Sequence, residues 1–174
     1  MENERKYLFK WEDMIGVNLD EARPGLGPST RMEVYRLFQF TLRDVLEKHY
    51  GTEMADSLFR EAGVIAGNAF FDKFLSDAKD TSSLVKKIQD TFVALGIGVF
   101  RVESAKEDNS HFIFTVSEDL DCSGLPDMSD VVCVYDEGFI KGILEQFSGK
   151  GFDVKEIDCW CTGERTCRFE AKIA

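Results

Sequence analysis

Residues 129–169 read SDVVCVYDEGFIKGILEQFSGKGFDVKEIDCWCTGERTCRF and hold four of the five cysteines of the chain. Apolar residues recur in the first half at steps of three and four, which predicts a helix that begins at Ser129 or Asp130. Gly149 and Gly151 end this helix. Two strand-like segments, 152–161 and 166–173, follow around a turn. The stretch therefore predicts a helix packed on a β-hairpin.

This arrangement would bring four cysteines together. Cys133 lies in the first turn of the predicted helix, where the helix dipole favours a thiolate. Cys159, Cys161 and Cys167 lie around the hairpin turn. Thiols from one helix and one hairpin are typical of a structural zinc site. Reduced cysteines that fill the core are the alternative, and residue chemistry alone leaves both open.

Taken as a whole, the sequence predicts an N-terminal arm, residues 1–28, and one domain, residues 29–174, which includes this stretch. Segment 7–18 of the arm reads as a strand, or as a segment that packs Phe9 and Trp11 onto a neighbour. Helical periodicity then predicts three helices. They run from Ser29 or Thr30 to Gly51, from about Glu53 to Leu75, and from Ser82 to Leu95.

Gly63 and Gly67, one turn apart in the second predicted helix, allow another backbone to approach closely. A hairpin over residues 99–119, with its turn at 106–109, follows the third helix. The order of elements is therefore ααα-ββ-α-ββ. This order predicts an α+β fold in which helices pack on one face of an antiparallel sheet.

Composition narrows the possible functions. The chain has 174 residues and a net charge of −11, which argues against direct binding to nucleic acid or to an anionic membrane. No apolar run approaches the roughly 20 residues of a membrane span, so we expect a soluble, cytoplasmic protein with reduced thiols. The first long helix carries apolar residues on more than one side, which favours a homodimer.

The cysteine pattern resembles the C-terminal signature of the 4-vinyl reductase domain family, which includes phenol- and xylene-sensing domains of bacterial activators. A cysteine at the helix is followed by Glu156-Ile157-Asp158-Cys159 and then by Cys167-Arg168. The resemblance extends over roughly residues 25–172. It implies structural Zn²⁺ held by Cys133, Glu156, Cys159 and Cys167. Strand alternation instead puts Cys161 on the side of Cys159 and Glu156 on the other, so Cys161 is the alternative fourth ligand.

The resemblance also implies a stand-alone sensor or binding domain for a small apolar ligand, aromatic or lipid-like. The chain has 15 phenylalanines, and plain aromatic surface suits such a cavity between helices and sheet. The candidate cavity residues are Phe70, Phe74, Phe92, Phe100, Phe112 and Phe114.

Catalysis is not expected, because neither His49 nor His111 belongs to a nucleophile motif and no hydride-carrier motif is found. Two alternatives to a sensor remain: an assembly module of the vesicle-tethering-subunit type, and a zinc–thiolate redox switch.

Overall fold

The computed structural model describes residues 6–15 and 18–174. They form two compact units, residues up to Thr41 and Leu42–Ala174. The first unit contains two short helices, α1 (Trp11–Met14) and α2 (Leu19–Ala22), and the first part of α3 (Met32–Tyr50). The strand considered for residues 7–18 is wrong for 7–15 and 18, where the regular structure is a helical turn; Gly16 and Val17 lie outside the described residues.

The second unit has the predicted order of elements, and the α+β fold class is confirmed. Helix α3 ends at Tyr50, and the next residue, Gly51, has a φ of 80° that suits glycine. The elements that follow are α4 (Thr52–Phe70), a π-helical turn (Phe71–Leu75), α5 (Thr81–Leu95), β1 (Val99–Ala105), β2 (His111–Ser117), α6 (Val134–Ser148), β3 (Phe152–Asp158), a 3₁₀ turn (Trp160–Thr162) and β4 (Cys167–Ile173).

The four strands form one antiparallel sheet in the order β1-β2-β4-β3. Side chains alternate between its two faces, and the inner face, which carries the buried side chains, contributes to the core. On β2, Phe112, Phe114 and Val116 are buried while the residues between them are half-buried. On β3, every second residue from Phe152 to Glu156 is buried.

Helices α4 and α6 pack backbone against backbone, as the glycine spacing of α4 predicted. A Cβ atom on Gly63 would lie 2.1 Å from the carbonyl oxygen of Tyr135, and one on Gly138 would lie 2.0 Å from that of Arg60. Both distances are far below van der Waals contact, so only glycine allows this approach. The two helix backbones are therefore in close contact at these glycines.

The predicted start of α6 at Ser129 or Asp130 is wrong, because the helix begins at Val134. Ser129 has a φ of 56°, a left-handed conformation that does not continue into a right-handed helix. Its N–H donates to the carbonyl oxygen of Cys161 at 3.1 Å. Cys133 is therefore the residue before the first turn rather than within it.

Strand β3 also ends earlier than predicted, at Asp158 rather than at Cys161. Its pairing with β4 shifts register between Glu156 and Asp158, and the Thr162 hydroxyl donates to the carbonyl oxygen of Cys159 at 2.8 Å in the tight turn that follows. The expectation that Glu156 and Cys159 lie on opposite sides is wrong, because the irregularity falls between them and both are buried.

Candidate functional site

Four cysteine thiols meet in the interior at the end of the sheet where β2 and β3 finish. Cys122 comes from the loop after β2, Cys133 precedes α6, Cys159 follows β3, and Cys167 begins β4. All four are fully buried, and their Sγ atoms lie within 4.8 Å of one another. We call these four residues the thiol cluster.

The geometry of the thiol cluster fits a tetrahedral metal. A Zn–S bond of about 2.3 Å gives S···S edges of about 3.8 Å in a tetrahedron. The Sγ atom of Cys133 lies 3.9 Å from that of Cys159 and 3.7 Å from that of Cys167. The Sγ atoms of Cys122 and Cys167 are closer, at 3.1 Å. Small side-chain movements would therefore bring all four thiols to zinc-ligand distances.

Glu156 lies beside the thiol cluster with its carboxylate buried. Oε2 accepts the N–H of Cys133 at 2.9 Å, while Oε1 is buried and has no hydrogen-bond partner among the residues that the structure describes. The N–H of Glu156 donates to Oε1 of Glu137 at 3.0 Å. Glu137 is itself buried and forms ion pairs with Arg60 and Lys155. The hydrogen bonds of Glu156 with Cys133 and with Glu137 therefore join the start of α6 to β3 at two points.

The electrostatics of this region favour a cation. Burial raises the pKa of Glu156 to about 9, and the nearby Cys159 adds to the shift. Burial and the neighbouring Asp121 raise the pKa of Asp119 to about 7. Hydrogen bonds with the other three thiols lower the pKa of Cys159. Acidic groups held this closely out of water are stabilised when a divalent cation shares their charge.

Cys161, the alternative fourth ligand, is buried but does not belong to the thiol cluster. Its carbonyl oxygen accepts the N–H groups of Met128 and Ser129, so the residue connects the 3₁₀ turn to the segment before α6. Cys122, which no spacing rule indicated, takes part instead. In the sequence, Cys122 counted only as a surplus thiol, together with Cys161, in favour of the redox-switch alternative.

A cavity of about 200 Å³ lies between α5, α6 and the inner face of the sheet. Of the expected cavity residues, Phe92, Phe100, Phe112 and Phe114 line it, whereas Phe70 and Phe74 do not. Phe70 packs in the core instead, 5.0 Å from Phe139 between ring centroids. The other apolar lining residues are Leu84, Val85, Ile88, Ile140, Ile143, Leu144, Phe147 and Phe152.

The rim of the cavity is polar. Thr81, Asp108, Asn109, Ser148 and Lys150 complete its lining, and they come from the start of α5, the β1–β2 turn and the end of α6. The cavity therefore combines an apolar interior with hydrogen-bonding groups at one end, the usual composition of a small-molecule site.

The two histidines lie apart from both sites. His49 is exposed near the end of α3, and His111 lies 3.0 Å from Oε1 of Glu170, a residue of the neighbouring strand. No helix in the described part of the chain combines the length and the apolarity needed to cross a membrane.

These observations define an α+β domain with helices on one face of a four-stranded sheet, an apolar cavity and a buried thiol cluster. The family model of the 4-vinyl reductase domain matches residues 112–173, from β2 to the end of β4. The match confirms the resemblance to that family for this segment of the chain. The matched segment contains Glu156 and the whole thiol cluster.

Relatives and solved structures extend the likeness over most of the chain. An uncharacterized protein of Methanocaldococcus jannaschii is 25% identical over 148 residues, 85% of this chain and 81% of the relative. The structure of a vinyl-4-reductase family protein from the same organism matches with a TM-score of 0.58 and 18% identity, covering 84% of this chain and 83% of that one.

Two further structures share the fold. The phenol-responsive sensory domain of the transcription activator PoxR, solved with phenol, has a TM-score of 0.62 and 18% identity over 83% of this chain and 75% of its own. Subunit 3 of the trafficking protein particle complex from Naegleria fowleri, covalently bound to palmitic acid, has a TM-score of 0.64 and 15% identity over 82% of this chain and 95% of its own. At these identities the likeness is one of fold.

Proposed function

We propose that this protein is a binding or sensor domain that takes a small apolar ligand into the cavity between α5, α6 and the sheet. The observation that carries the proposal is the cavity itself, about 200 Å³ and lined by four of the expected phenylalanines. An engineered apolar cavity of about 150 Å³ suffices to bind benzene. We therefore expect a ligand about the size of a substituted aromatic ring or a short aliphatic chain.

The polar rim suggests how such a ligand would be oriented. An apolar body would contact Phe92, Phe112 and Phe114, and a polar substituent would point toward the rim, where Thr81 and Lys150 lie. Buried polar groups lose free energy unless they find hydrogen-bond partners, so a hydroxyl or carboxyl group would occupy the rim rather than the interior. The ligands of the PoxR domain and of the trafficking subunit, phenol and palmitic acid, are also molecules with an apolar part and a polar end.

Binding, rather than catalysis, is the proposed role. The groups that line the interior of the cavity are hydrocarbon and aromatic side chains, and its charged groups, Asp108 and Lys150, are exposed at the rim. Such a surface recognises shape and apolarity but supplies no positioned acid, base or nucleophile to a buried ligand.

The proposal is tested by binding of phenol, toluene and a short-chain fatty acid, measured by calorimetry. Phe112→Trp or Phe92→Trp adds volume to the cavity wall, and we expect either change to weaken probe binding at least about tenfold while the fold persists. Phe59→Trp is the matched control, because Phe59 is buried outside the cavity lining. If no probe binds the parent protein, or if all three variants weaken binding equally, the proposal fails.

We also propose that structural Zn²⁺ binds at the end of the sheet that carries the thiol cluster and Glu156, which we call the thiol end. Its ligands would be Cys133, Cys159 and Cys167, with a fourth from the neighbouring groups. The family resemblance selects Glu156 for the fourth position, with Cys161 as its alternative. The metal would hold the start of α6 against β3 and β4 and so add to the folding free energy. Native mass spectrometry of purified protein should find one zinc per chain. Reduced thiols of this kind suit the cytoplasm.

Exposed apolar residues on α3 favour a homodimer. Helix α3 has no buried residue, and Leu37 and Phe38 are 67% and 69% exposed. A second copy that covers this face would remove both from water. Sedimentation should therefore show a dimer for the parent protein and a monomer for Phe38→Glu. A parent protein that sediments as a monomer at micromolar concentration would contradict the dimer, and a larger hetero-assembly would favour the assembly function instead.

A further inference from the structure

The four thiols of the thiol cluster match the four positions of a tetrahedral metal, and Oε1 of Glu156, a buried carboxylate oxygen, is a competing donor beside them. We propose that Cys122 is the fourth ligand and that Glu156 is a positioning residue, which holds Cys133 in place without binding the metal. The inference rests on the proposed zinc site and goes beyond it, because the family resemblance assigns the fourth position to Glu156.

The loop that carries Cys122 is built to aim its thiol inward. Oδ1 of Asp119 accepts the N–H groups of Asp121 and Cys122 at 2.8 and 3.1 Å, and the carbonyl oxygen of Cys122 accepts the N–H of Leu125 at 3.0 Å. The indole N–H of Trp160 donates to the carbonyl oxygen of Leu125 at 2.9 Å. This last bond joins the loop to the turn directly after Cys159, so two ligand-bearing segments are fixed to each other.

The position of Cys122 is that of a ligand rather than of a residue that fills space. Its Sγ lies 3.1 Å from that of Cys167, closer than the edge of about 3.8 Å that a zinc tetrahedron requires. A metal ion entering the cluster therefore has to separate these sulfurs slightly, not draw a distant one inward. Thiolate is also the commoner ligand in closed structural zinc sites.

Glu156 already has a structural role that explains its burial. One carboxylate oxygen accepts the N–H of Cys133, a group that precedes α6 and has no partner within the helix. The N–H of Glu156 in turn donates to Oε1 of Glu137. Strand β3 therefore both accepts a hydrogen bond from the start of α6 and donates one to it. This bond fixes the backbone from which the Cys133 thiol projects, the usual task of a residue just outside the metal ligands.

X-ray absorption at the zinc edge, on the full chain loaded with one Zn²⁺, tests the inference. We expect four sulfur ligands at about 2.3 Å; three sulfurs and one oxygen at about 2.0–2.2 Å would overturn it. A parent protein that retains no zinc would overturn the proposed metal site as well, so failure of the site and failure of the ligand assignment give different results.

Variants provide an independent measurement, by competition against a chelator. Cys122→Ser should lose one sulfur and weaken zinc binding by more than about 100-fold, whereas Glu156→Gln, which keeps an acceptor for the Cys133 N–H, should keep four sulfurs and weaken it about tenfold at most. Cys161→Ser is the matched control and should match the parent. If Glu156→Gln loses a ligand and Cys122→Ser does not, the assignment is reversed. Should Cys122→Ser fail to fold, the sulfur count of the parent and of Glu156→Gln still decides.

Discussion

The two ends of one sheet face show two ways of filling an interior. At one end, Phe112 and Phe152 face α5 and α6 and leave a cavity of about 200 Å³. At the other end, Glu156 and Cys167 face the loops and turns that bring the remaining thiols, and polar groups are packed away from solvent. The first end consists of regular elements, whereas the second takes Cys122, Cys133 and Cys159 from outside helices and strands.

This difference indicates what each end needs in order to be stable. Apolar side chains are stabilised by removal from water, and regular strands and helices provide that burial even where a void remains. Buried thiols and carboxyl groups are costly unless they are hydrogen-bonded or hold a cation. We therefore expect the thiol end to depend on its metal and the cavity end to tolerate change.

The largest effect is expected when metal is removed. Structural zinc contributes on the order of 10 kcal/mol to the folding of zinc-finger peptides, comparable to the whole stability of a domain. Chelation should lower the unfolding midpoint by roughly 10 °C or more, measured by circular dichroism, and zinc but not magnesium should restore it. An unchanged midpoint after verified metal loss would show that hydrogen bonds alone support the thiol end.

A pair of matched truncations compares the two kinds of packing directly. Phe169 is fully buried between Phe114 and Glu156 in the sheet register, and Phe169→Ala should cost about 3–5 kcal/mol. Phe112 borders the cavity and lacks packing partners on that side. Phe112→Ala should therefore cost less, at or below about 3 kcal/mol, because fewer contacts are lost. Urea unfolding measures both, and equal costs would contradict the difference between the ends.

The support that both ends share is the contact between α4 and α6. A Cβ on Gly138 would lie 2.0 Å from the carbonyl oxygen of Arg60, so Gly138→Ala must push the helices apart and should cost about 1–3 kcal/mol. Gly151→Ala is the control, since its Cβ would meet Ala174 at an ordinary 3.6 Å. Because α6 follows directly after Cys133 and its last turns line the cavity, Gly138→Ala should weaken both zinc and ligand binding. Loss of only one would show that the ends are supported separately.

The cavity end could be predicted from the sequence more fully than the thiol end. Alternation over Phe112, Phe114 and Val116 and the three-and-four spacing of α5 are local signals, and they located the sheet face and the helix that border the cavity. The thiol end depends on non-local bonds instead. The left-handed Ser129 delays α6, and hydrogen bonds to Asp119 aim Cys122 inward, neither of which periodicity reports.

The smallest effect is expected on the outer face of the sheet, directly behind the thiol cluster. Arg168 follows Cys167 on β4 and pairs with Glu103 of β1, at 2.8 Å, and with Asp158 of β3. These groups are partly exposed, and such pairs contribute about 0.2–1 kcal/mol each at most.

Arg168→Gln removes both pairs and should therefore lower the free energy of unfolding by no more than about 2 kcal/mol, and the loss should shrink in 1 M salt because screening weakens the parent's ion pairs. Lys86→Gln, which removes an exposed ion pair on α5, is the control and should change less. Zinc affinity should stay unchanged in both variants. If Arg168→Gln weakens zinc binding tenfold, the ion pairs on the outer face help to hold Asp158 and the turn that carries Cys159, and the thiol end would extend through both faces of the sheet.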